Sequence, residues 1–248
     1  MSSAQQKKSQ PEKLNVTRLA VATSTRAAAR LLGEDAYRGK SEQYFSGARI
    51  DYLSELPRDR TARVLEIGCG FGETGALALS SGKCASYSAV EICEDAAAKA
   101  KLKITEVVAG NIESVNLPWD EKCFDVLILS ELLEHLVDPW SVLRKIRPLM
   151  KPGARVFASS PNVSHFSVLR MLLRGDWTLG DSGLMDRTHL RWFTPRSYRE
   201  LFESTGYRVD SVQELAPFGK KAEFINKVTF GRLRHLLTYQ IDLRAHCL

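Results

Sequence analysis

The chain has 248 residues, 44% hydrophobic and 26% charged, with a net charge of +6 at pH 7. That is ordinary globular material, enough for one main domain, and it excludes a membrane span, because no apolar run approaches the roughly 20 residues a bilayer crossing needs. Five cysteines, an odd number without a C-x-x-C pair, point to a reducing, cytoplasmic setting in which Cys69, Cys84, Cys93 and Cys123 serve as small hydrophobes.

Residues 1–13, MSSAQQKKSQPEK, are polar and lack the apolar core of a signal peptide, so they read as a mobile tail. Residues 14–57 read as a helical cap, with Leu19, Val21, Ala28, Leu31 and Leu32, then Tyr44 and Phe45, then Ile50, Leu53 and Leu56 at helix-like spacing before Pro57. From residue 58 the pattern changes to short Val/Ile/Leu-rich runs, each followed by a helix-length segment: Ala62–Ile67, Tyr87–Ile92, Ile104–Ala109, Val126–Leu129 and Ala154–Ser159. Such alternation predicts parallel strands covered on both faces, a doubly wound α/β sheet running through 58–248. Arg208–Leu215 and Tyr239–Arg244 supply two further strands, the last entered after a basic helix-like stretch, Phe230–Leu237. Segment 160–198 is insertion-like and follows the fifth strand, where open α/β folds place ligands, so it is the expected lid. Within it Val168, Leu169, Leu172 and Leu173, with Arg170 and Arg174, form an amphipathic helix with two readings, contact with a membrane surface and, the expected one, packing on the protein's own core. Arg170, Arg174, Arg187, Arg191, Arg196 and Arg199 crowd this third of the chain and suggest a mouth that attracts an anionic substrate; with few aromatics interleaved, nucleic acid is not an expected partner.

The stretch VLEIGCGFGETG, residues 64–75, joins the first strand to a helix expected near Phe71. Glycines after a strand let backbone approach a ligand, and the helix N-terminus favours an anionic group there. Gly70, Gly72 and Gly75 fit the G-x-G-x-x-G of a nicotinamide or flavin site. Glu66, Gly68, Gly70 and Gly72 fit E-x-G-x-G-x-G, in which the acid suits a ligand carrying an ammonium and a sulfonium. Glu91, ending the second strand, is placed to accept hydrogen bonds from ribose hydroxyls, which both readings require. Gly72 and Gly75 also have a plain packing role, and Glu91 a helix-capping one.

VLEIGCGFG, the acid of AVEI, AGNIE and FDVLILSELLEHLVDP, in that order and spacing, resemble the class I S-adenosylmethionine-dependent methyltransferases over residues 60–215. The resemblance implies a Rossmann-like sheet of seven strands, S-adenosyl-L-methionine as methyl donor, and a cofactor site lined by Glu66, Gly68, Gly70, Glu91, Ile92, Asn111, Ile112 and Ser130. Asn111 departs from the Asp of many relatives. SPNVSHFSVLRMLLRG with DRTHLRWFT looks like a subset found with sugar, polysaccharide and natural-product pathways, which implies a hydroxyl acceptor on a sugar or similar polar small molecule; the nearby arginines are compatible with an anionic, carrier-linked sugar. The E-x-x-E-H run is similar to one in ubiquinone-pathway O-methyltransferases and in small-RNA 2′-O-methyltransferases; in the latter a downstream histidine completes a metal site, and His189, followed by Trp192, Phe193 and Thr194, looks like that placement.

Methyl transfer to oxygen needs a base or a metal to relieve the acceptor of its proton. Glu131, Glu134 and His135 would share one helical face if that loop is helical, and with His189 they make an oxygen/nitrogen set for Mg²⁺, Mn²⁺, Fe²⁺ or Zn²⁺. The alternative has Glu134 as a helix-face charge, His135 as an orienting group and His189 as the general base. His165, beside Phe166, reads as a packed or exposed residue. A nicotinamide-dependent oxidoreductase and a non-catalytic partner protein of the same fold are the competing functions; a homodimer is compatible with the pattern.

Overall fold

A computed structural model of the chain describes residues 37, 40, 42–56, 59–215 and 220–248. The expected tail and the apolar positions Leu19–Leu32 lie outside the described residues. Of the expected cap, Glu42–Phe45 (α1) and Ile50–Glu55 (α2) are helical.

The main body alternates strands and helices. Arg63–Ile67 (β1), Ser86–Glu91 (β2), Glu106–Ala109 (β3), Phe124–Ser130 (β4) and Met150–Pro161 (β5) are parallel, with Glu73–Ser80 (α3), Glu94–Ala100 (α4) and Pro139–Ile146 (α5) between them. After β5 come Phe166–Leu173 (α6) and Pro195–Glu203 (α7), then Tyr207–Leu215 (β6), Lys220–Val228 (α8), Arg234–Leu237 (α9) and Gln240–Cys247 (β7). The seven strands lie in the order β3-β2-β1-β4-β5-β7-β6, with β7 antiparallel to both of its neighbours. This is the expected Rossmann-like seven-stranded sheet, and the chain reverses direction across it between β1 and β4, where such folds open a crevice.

Covering both faces explains the near-continuous apolar runs. Leu65, Ile67, Leu127 and Leu129 pack with α5 and α7 on one face, while Val64, Val126 and Ile128 pack with Tyr52, Tyr87 and Ala97 on the other. Local signals fix the helix starts. Asp138 accepts from Ser141 N–H (3.0 Å) ahead of Pro139. Thr194 and Ser197 form a reciprocal cap ahead of Pro195–Glu203. His165 is likewise structural, its Nδ1 lying 2.7 Å from the Ser167 hydroxyl at the start of α6. Two boundaries differ from expectation. The helix-like stretch Phe230–Leu237 yields only the four residues of α9, because Phe230 and Gly231 take positive φ (51° and 75°). The helix expected near Phe71 starts at Glu73, because Gly72 caps it at φ 76°.

Candidate active site

At the end of β1 the backbone turns through Gly68 (φ 80°) and Gly70 (φ 53°), conformations that L side chains resist. A Cβ on Gly70 would also collide with the Phe45 carbonyl oxygen. That carbonyl accepts a hydrogen bond from Phe71 N–H (2.9 Å), and the Phe45 and Phe71 rings stack at 5.7 Å, so α1 sits against the glycine turn. Gly75 has the packing role: a Cβ there would meet Tyr87 and Ile104 at 2.6 Å.

The two acids flanking the turn are both buried. Glu91 accepts from Gly70 N–H (2.8 Å) through Oε2 and from Cys93 N–H (3.0 Å) through Oε1, which braces the turn and ties it to the residue ahead of the next helix. Each oxygen keeps a second lone pair for a ribose hydroxyl. Glu66 accepts from the Tyr87 hydroxyl (2.8 Å), and burial pushes its carboxyl up to about 7 against that bond. Such an acid gains when a cation arrives beside it. Asn111 uses Oδ1 to accept from Glu113 N–H (2.9 Å), which leaves its NH₂ as the group to face a base edge; Ile112 is buried beside it and Ile92 half-buried.

One residue escaped the sequence reading. Arg49, ahead of α2, donates to the Ser130 hydroxyl and to Ser159 Oγ (2.7 Å) at the ends of β4 and β5, and its guanidinium lies 3.7 Å from the Tyr52 ring centre. Its charge reaches Glu66, lowering that acid's pKa. Its backbone N–H is held by Thr74 Oγ1 (3.2 Å) in the first turn of α3. Arg49 also pairs with Asp51 (2.6 Å) and lies 3.7 Å from Asp242, so its charge is balanced by two acids where it meets the strand ends and the start of α3.

The second constellation follows β4. Glu131 sits at φ 48°, a left-handed conformation unusual for a non-glycine residue, and accepts from Gln240 Nε2 (2.7 Å). Leu133–His135 is a single 3-10 turn. Glu131, Glu134 and His135 therefore do not share one α-helical face, although the Glu131 charge still reaches Glu134 and raises its pKa. What gathers instead is Glu134, His135 and His189, which offer ligand atoms all within 4.8 Å of one another. The lid brings His189 there because Leu190 and Arg191 N–H both bond the Glu134 carbonyl, at 2.8 and 2.9 Å.

The chemistry of this set is specific. His135 Nδ1 lies 3.2 Å from the Thr188 carbonyl and His189 Nδ1 3.2 Å from the Leu184 carbonyl. A carbonyl only accepts, so both Nδ1 atoms carry the proton and both Nε2 atoms carry a lone pair. Burial lowers both imidazoles, His135 to about 4, so both are neutral at pH 7. Glu134 is 1% exposed and no helix-face charge; neither carboxylate oxygen has a hydrogen-bond partner among the described residues. Burial first, and then the Glu131 charge, raises the Glu134 pKa well above the usual carboxylate range, and a divalent cation held with His135 and His189 would fit the group by favouring its charged form.

The crowd of arginines divides. Arg187 pairs with Asp181 (2.7 Å), Arg196 with Glu200 (2.8 Å) and Arg199 with Glu203 (3.2 Å), while Arg191 donates to the Val137 carbonyl. These four are held by local partners. The lid helix α6 also departs from expectation, burying Val168 alone.

Residues 38–212 match a family model described as a methyltransferase domain. The ubiquinone biosynthesis O-methyltransferase of Aeromonas salmonicida is 27% identical over 207 residues, covering 75% of this chain and 84% of that protein. The enzyme of the same name from Coxiella burnetii is 24% identical over 181 residues, with 71% and 76% covered. Among solved structures, an S-adenosylmethionine-dependent methyltransferase from Archaeoglobus fulgidus aligns with TM-score 0.57 at 23% identity, covering 86% of this chain and 97% of that one. The [4+2]-cyclase SpnF aligns with TM-score 0.55 at 14% identity, covering 83% and 81%. At such identities the structures show the fold alone, and SpnF shows that the fold does not fix the reaction. The nicotinamide reading of Gly70, Gly72 and Gly75 gives way to the other, for the chain belongs to the methyltransferase-domain family and is a class I S-adenosylmethionine-dependent methyltransferase.

Proposed function

We propose that the protein is an O-methyltransferase whose acceptor hydroxyl is presented to the cofactor beside Glu134, His135 and His189, with a divalent cation held by these three. The observation that carries this reading is the Glu134 carboxylate, buried without a partner between two imidazoles whose protons are committed to backbone carbonyls. A bound cation would supply a lowered hydroxyl pKa at neutral pH. The other tasks fall to the chain. Gly68 and Gly70 let the nucleoside approach, Glu91 and Asn111 meet its ribose and base, and Ile92 and Ile112 flank the ring. Glu66 and Arg49, with Ser130 bonded to Arg49, hold the ammonium and carboxylate of the amino-acid end. In the transfer the S–CH₃ bond breaks as the O–CH₃ bond forms, the hydroxyl proton leaves to solvent or base, and S-adenosylhomocysteine departs.

The names of the relatives favour a hydroxyl on a quinone-type ring. A sugar or carrier-linked acceptor, expected from the lid sequence, is the second reading. It is favoured by Arg170 and Arg174, which have no acidic partner among the described residues and suit a phosphate. A labelled-methyl assay over catechol-type and glycosyl acceptors separates the two readings. The same assay after chelation, with divalent metals restored one at a time, tests the cation: activity should fall at least about tenfold and return with metal. Turnover unchanged by the chelator would leave His189 or His135 as a metal-free general base. Absence of S-adenosylhomocysteine binding would refute the proposed cofactor site altogether.

A further inference from the structure

The lid loop 180–187 is closed on itself by its backbone. Gly180 N–H donates to the Met185 carbonyl (2.7 Å) and Arg187 N–H to the Gly180 carbonyl (2.9 Å). Within it Asp186 is 3% exposed, a depth at which a carboxylate needs partners. Its Oδ1 accepts from Thr188 N–H (2.9 Å) and from the Thr188 hydroxyl (2.7 Å). Its Oδ2 pairs with Lys40 Nζ, which also donates to the Asp181 carbonyl (2.7 Å). Lys40, ahead of α1, thus ties down both ends of the 181–186 turn.

That turn orients both imidazoles of the acceptor end. The Thr188 carbonyl lies 3.2 Å from His135 Nδ1, and His189 N–H donates to the Asp186 carbonyl (3.0 Å). The two rings meet edge-on with centres 4.8 Å apart. Asp186 therefore holds Thr188, which orients His135, and the backbone from which His189 projects. Taking a lysine and a carboxylate out of water costs most of what their attraction returns, so a buried pair of this kind supplies register more than stability.

The same segment reaches the glycine turn. The Lys40 ammonium lies 4.8 Å from the Tyr44 ring centre, Glu42 pairs with Lys99 (2.7 Å), and the Phe45 carbonyl accepts from Phe71 N–H (2.9 Å). Five residues span at most about 18 Å. One short segment is thus anchored to the lid at Lys40 and to the glycine turn at Phe45.

We infer that Lys40 is a positioning residue: it clamps the lid turn that orients His135 and His189, and the Lys40–Phe45 segment couples this clamp to the glycine turn, so that a filled cofactor site steadies the acceptor end. What the turn positions rests on the functional reading above; the clamp itself requires no cation. Hydrogen exchange of the full chain, with and without S-adenosylhomocysteine, tests both parts. In the parent, S-adenosylhomocysteine should slow exchange at Asp186, His189, Leu190 and Arg191 at least about fivefold. In Lys40→Met these amides should exchange faster than in the parent and respond to S-adenosylhomocysteine less than about twofold. Lys40→Met with Asp186→Asn leaves no buried ion unpaired, and the new amide oxygen still accepts from Thr188. This double variant should keep parent exchange rates in β1 and β4 yet still lack the response in the lid turn. Parent rates in Lys40→Met, or a parent-sized response in the double variant, would overturn the clamp. Equal acceleration in the lid turn, β1 and β4 of both variants would also overturn it, by showing the pair to be merely structural. Failure to bind S-adenosylhomocysteine would sink the cofactor site and the coupling together, while exchange without ligand would still judge the clamp. Turnover that survives chelation would remove the cation alone.

Discussion

Glu91 and Glu134 are both buried carboxylates beyond the carboxyl ends of parallel strands, yet two backbone N–H groups hold one of them and the other has no partner among the described residues. The difference separates the two ends of the crevice. At the nucleoside end the chain satisfies its own acids and so presents a finished, rigid surface whose spare lone pairs point outward. Beyond β4 the Glu134 carboxyl has no hydrogen-bond partner among the described residues, and burial raises its pKa well above the usual carboxylate range. The first end is preorganised, and the second is proposed to be completed by a cation.

Glu134→Gln probes that contrast most strongly. Methyl transfer should fall by at least about a hundredfold as a cation ligand is lost, while the melting temperature holds or rises because a buried unpaired acid has become a neutral amide. A matching fall in melting temperature would show the cluster to be merely structural. Glu66→Gln comes next. The Glu66 carboxyl has a pKa of 4.5 in an unfolded chain and about 7 in the fold. Between those values the folded state binds more protons, so the stability Glu66 permits declines as pH rises from 4.5 to 7 and stays low above. The variant should therefore be more stable at pH 8, by on the order of 3 kcal/mol, with the gap closing below pH 4.5, and should bind S-adenosylhomocysteine about tenfold more weakly. Urea unfolding at the two pH values, with calorimetric titration, checks both parts. For the parent, the same acid should release protons when the cationic donor binds at neutral pH, detectable as a buffer-dependent binding enthalpy.

Gly70→Ala forces a Cβ onto the Phe45 carbonyl at a positive φ, and should cost about 1–3 kcal/mol with reduced cofactor affinity. Unaltered affinity would mean that α1 takes no part in forming the nucleoside end. The smallest effect belongs to Arg187→Ala. Its ion pair with Asp181 is exposed, so stability should change by no more than about 1 kcal/mol and KM by less than about twofold. A large rise in KM would support the anion-attracting mouth expected from the sequence.

Much of the nucleoside end was legible because its signals are local. A Val/Ile/Leu run, an acid, alternating glycines and a second acid some twenty residues later are all set by one strand–turn–helix unit and its neighbour. Arg49 was not legible: nothing beside it in sequence marks it, and only the folding of α2 against β4 and β5 brings it to the cleft. The acceptor end misled for the same reason. SELLEH has helical composition, yet Glu131 takes a left-handed backbone, bonded to Ser159 and Gln240 on distant strands, and only Leu133–His135 forms a 3-10 turn. The lid helix has an apolar face, from which burial was expected; whether such a face turns inward is decided by the space left over β5, not by periodicity. The pairing of Arg196 and Arg199 with acids four residues on could have been read directly from helical spacing.

The hydrogen bond from Phe71 to the Phe45 carbonyl ties the segment before α2 to the glycine turn proposed to carry the nucleoside. Trimming the chain to its sheet-forming portion would strip that turn of its brace, and a tag or fusion grafted just ahead of Glu42 would act as a handle on cofactor occupancy. The start of the body is thus a natural place to tune how long the donor dwells without touching any group that meets it.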